Sequence, residues 1–351
     1  MGRTVSGVLL FAAVAAAFRQ GIVFMQDYEI PRIGMTLFAI LWAVGGIIAL
    51  FLMLNLFYES VPKSVRGHFA PVVFVGPAVL VLAWFVFLPT LRSFWISLFS
   101  DDGFVFLSNY LDAFTDRAFL IALRNTVIWV VLCPLFCVLF GLAIALIAER
   151  SGFEIIGKAL IFMPMAISYI GAGIIWKFVY SYMPAGESQI GLLNAIITSL
   201  GFEPRNWIVL KPLINSVLLA AVFVWMQTGY AMVLLSSAIK GVSDDLLEAA
   251  RIDGAGEFQI IWSIIIPVIR GTIITVATTI TIFSLKIFDI VWSMTGGQFN
   301  TDILATLQYK EAFVYYKDHM GATYAIILLL AVIPVVVYNL RQFLGRAGKA
   351  A

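Results

Sequence analysis

The sequence predicts an all-α, polytopic membrane protein with about eight transmembrane helices. Composition is the first reason. Of 351 residues, 62% are hydrophobic and only 12% are charged, where a soluble domain carries roughly 25% charged residues. Spacing is the second. Apolar runs of about 20 residues, enough to cross a bilayer, recur along the chain. The third is what lies between two of them: a polar, small-residue-rich stretch, Gly241 to Pro267, with the punctuation of a short helix.

The candidate spans follow in order. The first, 5–25, is interrupted by Arg19 and Gln20, and Arg19 has to snorkel towards an interface. No small-residue cleavage site precedes Asp27, so this segment reads as a retained span, not a signal peptide. The second, 33–58, carries Gly45 and Gly46; the third, 70–91, holds Pro71, Pro77 and Pro89. Proline is tolerated where neighbours re-satisfy the backbone. The others are 120–148, 158–181, 213–239, 264–293 and 322–343.

Basic residues set the orientation. Lys63, Arg66, Arg150, Lys158, Arg341, Arg346 and Lys349 fall on the side of the 241–267 loop, which is therefore expected to be cytoplasmic. Asp27, Glu29, Asp101, Asp102, Asp112 and Asp116 fall opposite, although Arg205, Lys211, Lys310 and Lys317 share that side. Both termini then face the cytoplasm. No outer loop exceeds about 30 residues, too short for a large independent domain.

The composition excludes several functions. A net charge of +2 gives no reason to expect nucleic acid. Cys133 and Cys137 lie inside an apolar span and behave as small hydrophobes. His68 and His319 lack neighbours at metal-ligand spacing. The stretch Gly152 to Ala159 nearly spells a P-loop, but Ala159 replaces the hydroxyl that would hold magnesium and no buried strand precedes it. No metal cluster or nucleophile–base pair of an embedded enzyme stands out.

Between the sixth and seventh spans, Ser243, Asp244 and Asp245 are all good N-cap residues. With Asp245 as the cap, Glu248 closes a capping box. With Ser243 as the cap, both aspartates fall in the first turn, where the helix dipole favours anions. Gly254 is the left-handed residue that ends such a helix. Ala249, Ala250, Gly254, Ala255 and Gly256 leave a bare patch ringed by Glu248, Arg251 and Asp253. A capped surface linker is one reading; a docking element is the other.

The string favours docking. Glu248-Ala249-Ala250, three residues, Gly254, nine residues, then Ile264 and Pro267 resembles the EAA motif of binding-protein-dependent ABC import permeases. Ile266 stands where leucine is usual, and Asp253-Gly254-Ala255 resembles the carbohydrate branch. Further resemblances span residues 70–345: Asn109-Tyr110 with Phe119 to Thr126; Met163-Pro164 through Trp176; Gly191 to Asn194 with Leu200-Gly201; and Phe288-Asp289 through Gly296-Gly297. At the last of these Gln298 replaces a third glycine. Residues 1–65, with two extra spans, fall outside the common six-helix core, leaving 66–351 as the importer transmembrane domain with its coupling loop at 241–267. Maltose-type larger permeases also have eight spans, but carry a big outer domain without counterpart here.

The resemblance implies a bacterial inner-membrane permease subunit that does not itself hydrolyse ATP. ATP and magnesium would sit on two partner ATPase subunits. A second EAA-type permease, a periplasmic solute-binding protein and membrane lipid would be the other partners, with an oligosaccharide or α-glucoside as substrate. It also implies that the EAA helix is the coupling helix: Glu248 makes a charged contact, Ala249 and Ala250 pack closely, Gly254 bends, and Pro267 sets the start of the next span. Arg251 and Asp253 flank that contact.

A substrate path is read from two faces. Trp225, Thr228, Gly229 and Met232 follow i, i+3, i+4, i+7, which suits either a sugar ring or ordinary small-residue packing. The resemblance tilts this towards the path. Gln227 points elsewhere on the wheel. Ser284, Phe288 and Val291 make a second face by the same spacing, and Lys286 and Asp289, i and i+3, are spaced to neutralise each other, to face substrate, or to couple an ion. An ion-coupled secondary transporter and an ABC importer for glycerol phosphate or another small polar solute are the alternatives. The first wants several carboxylates or histidines at mid-membrane depth, and Asp289 is nearly alone.

Overall fold

The computed structural model describes residues 16, 18–21, 23–25, 31–60, 63–149 and 153–350. The chain divides into two compact units, residues 1–91 and 92–351. Most of the first expected span, 5–25, lies outside the described residues.

In the first unit, α1 (Arg32–Ser60) contains the span Ile33–Leu56, of which none is buried. A helix apolar all round and open on every side is suited to lipid. Phe38 stacks on Trp42 with ring centroids 5.7 Å apart. The helix α2 (Lys63–Leu82), a π-helical turn at Ala83–Phe87 and α3 (Leu88–Ile96) follow without a break. The third span therefore runs from Val73 to Ile96, and the basic stretch expected as a loop is helical from Lys63. Pro89 cannot donate to the carbonyl four residues back, and the wider turn falls where that ladder is broken.

The second unit begins within α3, at Arg92, and continues into a two-stranded hairpin, β1 (Phe99–Ser100) and β2 (Gly103–Phe104). The helix α4 (Ser108–Thr115) holds it: the Asn109 amide donates to the carbonyls of Ser97 and Phe99 at 2.9 and 2.6 Å. Asp116 then caps α5 (Arg117–Ala148), accepting from the Ala118 N–H at 3.0 Å. The fifth expected span, 158–181, is not one helix. It is α6 (Glu154–Phe162), a 3-10 turn (Met163–Ala166) and α7 (Tyr169–Val179), bent by 102°. Pro164 tightens the turn, and Ser168, in extended conformation, caps α7 by accepting from Gly171 N–H at 3.1 Å.

The short helix α8 (Leu192–Ser199) is anchored by fully buried Asn194. Its side chain donates to Ser181 and Arg205 carbonyls and accepts from Arg205 N–H and Trp207 Nε1–H, at 2.7 to 3.1 Å. The central helix α9 (Pro212–Lys240) packs along α5. Trp129, Leu219, Phe223, Met232 and Leu235 are fully buried between neighbours, and Trp129 donates to Ser216 at 3.2 Å. Gly141 lets the two backbones close, since a Cβ there would lie 2.9 Å from Met232 N.

Beyond α9 come α10 (Asp244–Ile252), α11 (Glu257–Ile260), a π turn (Ile261–Ile265) and α12 (Ile266–Leu285). The expected seventh span, 264–293, starts earlier and stops sooner: it crosses from Glu257 to Leu285, breaks, and resumes as α13 (Asp289–Thr295). Pro267 accordingly lies within a continuous helical run, with the π turn absorbing its missing N–H. The chain ends with α14 (Leu304–Tyr309), a π turn (Lys310–Val314) and α15 (Asp318–Ala350). Among the described residues six helices are long and apolar enough to span a membrane, or seven with the bent pair, against the eight expected.

The glycine-poor turn after α13 closes without a third glycine. Left-handed φ values fall on Gly296 (59°), Gly297 (77°), Phe299 (58°) and Asn300 (57°), and Gln298 needs none. Phe299 is bulky for that region, where strain of about 1–3 kcal/mol is usual, and other helices hold it there. Asn125 donates to the carbonyls of Asn300 and Asp302, both at 2.8 Å, and Asn215 donates to Phe299 at 3.1 Å. The Thr126 hydroxyl accepts from Leu304 N–H at 2.9 Å. Asn125→Ala is expected to destabilise the detergent-purified protein by about 2 kcal/mol, because the Asn300 and Asp302 carbonyls both lose their donor. A thermal melt checks it, and an unchanged midpoint counts against the clamp.

Candidate coupling helix and solute path

The helix α10 is built almost wholly of exposed residues; none is buried. Ser243 is its N-cap residue, in extended conformation, so Asp244 and Asp245 occupy the first turn. No capping box forms through Asp245 and Glu248, because Asp245 is already helical. At the other end Gly254 has φ +81°. The Ala255 N–H donates to Ala250 O at 2.9 Å and Gly254 N–H to Arg251 O at 3.1 Å, the paired bonds of a Schellman motif. Half-buried Leu247, Ala250 and Ala255 rest on the main core.

The opposite face is open. Ile252 is 81% exposed and Leu246 46%. Asp244, Glu248, Arg251 and Ile252 line a groove. Arg251 pairs with Glu257 at 3.1 Å, tying α10 to α11. Ala249 and Asp253 are exposed, and Glu248 makes no ion pair among the described residues. The element thus presents an unmatched carboxylate, small residues and two large aliphatics together.

The path residues separate. Trp225 meets Trp176 edge-on at 5.6 Å, and with Thr228 lines a cavity of about 560 Å³ between α5, α6 and α9. Its other walls include Leu132, Phe136, Ile161, Pro164 and Val224. These are apolar, and the Thr228 hydroxyl is spent on Val224 O at 2.7 Å. Gly229 and Met232 are closed by packing: a Cβ on Gly229 would lie 2.5 Å from Ile161 O, and Met232 is fully buried. Gly229→Leu is therefore expected to push α6 off α9 and cost at least about 2 kcal/mol, read as a lower melting midpoint; an unchanged midpoint contradicts this close packing.

The second face does not exist as one helix surface. Lys286 ends α12, Phe288 is the cap residue of α13, and Asp289 begins it. The i, i+3 geometry assumed for Ser284, Phe288 and Val291, and for Lys286 with Asp289, requires continuous helix. No ion pair joins Lys286 to Asp289 among the described residues, and Lys286 is exposed. Ser284 is buried and donates to Thr281 O at 2.9 Å. Phe288 joins an aromatic group, 5.4 Å from Trp292 and 5.1 Å from Tyr309 between ring centroids.

What converges at the two helix breaks is a polar group that the helical wheel set aside. Gln227 is 3% exposed. Its Nε2 donates to the Tyr169 hydroxyl at 2.5 Å, while its Oε1 is buried with no partner among the described residues. Tyr169 begins α7 just after the bend, stacks on Phe223 at 6.1 Å, and lies within electrostatic reach of Asp289. The helices α7 and α13 pack closely, for a Cβ on Gly173 would overlap Ser293. On the same side of α9, Tyr230 meets Phe283 at 6.1 Å. A glutamine in the middle of an apolar span was the signal available in sequence.

Residues 8–347 match the family of binding-protein-dependent transport system inner membrane components. The chain belongs to that family. As a permease of this family it is a multi-pass membrane component of a binding-protein-dependent importer. Over 272 residues it is 49% identical to the osmoprotective compounds uptake permease protein GgtC of Synechocystis sp., covering 77% of this chain and 97% of that protein. Over 287 residues it is 44% identical to the alpha-glucoside transport system permease protein AglF of Rhizobium meliloti, covering 81% and 85%. A chain of the bacterial alginate ABC transporter, solved with a periplasmic protein holding an alginate pentasaccharide, shares the fold: TM-score 0.67 at 17% identity, over 79% of this chain and 94% of that one.

Proposed function

We propose that this permease translocates a neutral oligosaccharide or α-glucoside, delivered by a soluble binding protein and driven by two ATPase subunits. A second EAA-type permease completes the pore, both termini face the cytoplasm, and residues 66–351 are the importer domain while 1–65 are an addition. An alignment filling 97% of GgtC fills 77% of this chain, which leaves room for such an addition, while the family match itself begins at residue 8. The names of AglF and of the trehalose/maltose permease MalF of Thermococcus litoralis, 32% identical over 228 residues, support the solute class.

One observation carries the chemistry. The Gln227 Oε1 is a buried acceptor with no protein partner among the described residues, beside aromatic rings. An unmet buried acceptor costs about 1–3 kcal/mol, which a sugar hydroxyl would recover as it passes, while the rings of Tyr230 and Phe283 offer apolar planes to its C–H face. Of the residues read from sequence, Asp289 stays in this path and Phe288 stands at its aromatic end. Trp225 and Thr228 flank it from the far side of α9, while Gly229, Met232 and Ser284 shape its walls by packing.

On the other side, Glu248, Ala249, Arg251, Asp253 and Gly254 form the face that seats in the ATPase, while Ala250 packs α10 onto its own core. Closure of the ATPase dimer then moves α10 as a rigid body and tilts α9 and α12, a hinge-type change between outward- and inward-facing states. The test is uptake of labelled trehalose, sucrose and maltose by the complete transporter in vesicles. Uptake that survives collapse of the proton-motive force but stops without ATP is the expected result. Uptake that follows the proton-motive force instead supports the ion-coupled alternative.

A further inference from the structure

Five side chains outside both sites meet where α5, α6 and α9 end. Glu149 caps α5 and accepts from the Ser236 hydroxyl at 2.8 Å. Lys158 on α6 reaches Ser236 as well, pairs with Glu154 at 2.5 Å and lies 4.0 Å from Glu149. Lys240, the last residue of α9, pairs with the same Glu154 oxygen at 2.5 Å. Two carboxylates meet two ammonium groups, so the cluster is neutral. The Lys158 side chain is only 17% exposed, unlike the solvated lysine of an ordinary surface pair.

The register of these contacts matters more than their number. Going up α6 from Glu154 to Lys158 to Ile161 corresponds to going down α9 from Lys240 to Ser236 to Gly229. The two helices are thus fixed antiparallel along one seam, by charge at the end next to α10 and by backbone contact at Gly229. At one end of that seam α9 leads through three residues, Gly241 to Ser243, into α10. At the other, α6 leads into the 102° bend that places Tyr169 against Gln227.

We propose that Lys158 is a positioning residue that locks α6 to the last two turns of α9, so that displacement of α10 is delivered to the Tyr169–Gln227 contact. It rests on the reading of α10 as the coupling helix. Without the lock, α9 moves with the ATPase but α6 and its bend lag behind, and hydrolysis no longer opens the polar site in step.

The test uses the complete transporter in proteoliposomes, with binding protein, ATP and whichever of labelled trehalose, sucrose and maltose the unaltered complex takes up. The readout is solute moved per ATP hydrolysed, per assembled complex. Lys158→Met is expected to lower that ratio about tenfold, a coupling loss of ordinary size, and Lys158→Arg to return it to within about threefold. A purely structural role would change the amount of complex and leave the ratio alone, and that result overturns the proposal. If Lys158→Met does not assemble, Ser236→Ala takes its place: a ratio lowered about threefold supports the lock, and an unchanged ratio overturns it. Gly254→Asp in parallel separates the two readings. Loss of coupling there with normal Lys158 variants removes this inference alone; normal coupling there removes the role of α10, and this inference with it.

Discussion

Gly254→Asp is expected to leave a folded, membrane-inserted chain that imports almost nothing. A Cβ at Gly254 would meet nothing within 4 Å, so the substitution creates no clash inside the protein. It does put a side chain on backbone at φ +81°, which costs roughly 1 kcal/mol. It also adds a carboxylate to a face that already holds Asp244, Asp245, Glu248 and Asp253. The side chain projects into open space at the end of α10, where the proposed partner approaches. Uptake should fall at least about tenfold, with ATP hydrolysis no longer following solute. Gly254→Ala, which adds strain but little bulk or charge, should fall much less. Normal uptake by the aspartate variant would remove the docking role from this helix.

Gln227→Leu should separate stability from transport. The substitution removes a buried acceptor that has no partner and a donor that serves Tyr169. Those two losses oppose each other, so the melting midpoint should stay level or rise. Uptake should fall by roughly tenfold, the worth of one or two hydrogen bonds to a passing solute. That combination is what a functional site held at the expense of stability gives. A variant that melts lower and transports normally would make Gln227 an ordinary packing residue.

How much was legible in sequence depends on how local the signal was. The start and end of α10 were readable because caps, dipole and left-handed glycine act within one turn. Ser243 rather than Asp245 proved to be the cap, a choice of two residues in a run of three acceptors. The helix breaks at 167–168 and 286–288 were not read, because apolar content continues across them and hydropathy alone sees one span. Pro164 and Ser168 mark the first break; a lysine and an aspartate three apart mark the second, a spacing that equally suits a pair on one helix.

Asn125 and Asn194 show a different limit. Both stood in motifs that carried the family resemblance, yet their work is to hold loops. Asn125 bonds carbonyls 175 and 177 positions away, and no pattern along the chain announces such partners. Gln227 was set aside because the helical wheel favoured the Trp225 side. Of that face only Trp225 and Thr228 line a cavity, and it is apolar, while the Gln227–Tyr169 pair lies buried elsewhere on α9.

Cross-linking from Ala249 tests the central claim most directly. Cys133 and Cys137 are fully buried, so a cysteine placed at exposed position 249 is the reactive one among the described residues. In the assembled transporter, Ala249→Cys carrying a short bifunctional reagent should give one adduct with the ATPase subunit, in a yield that changes when ATP binds. An assembled, active complex that gives no such adduct would contradict the account.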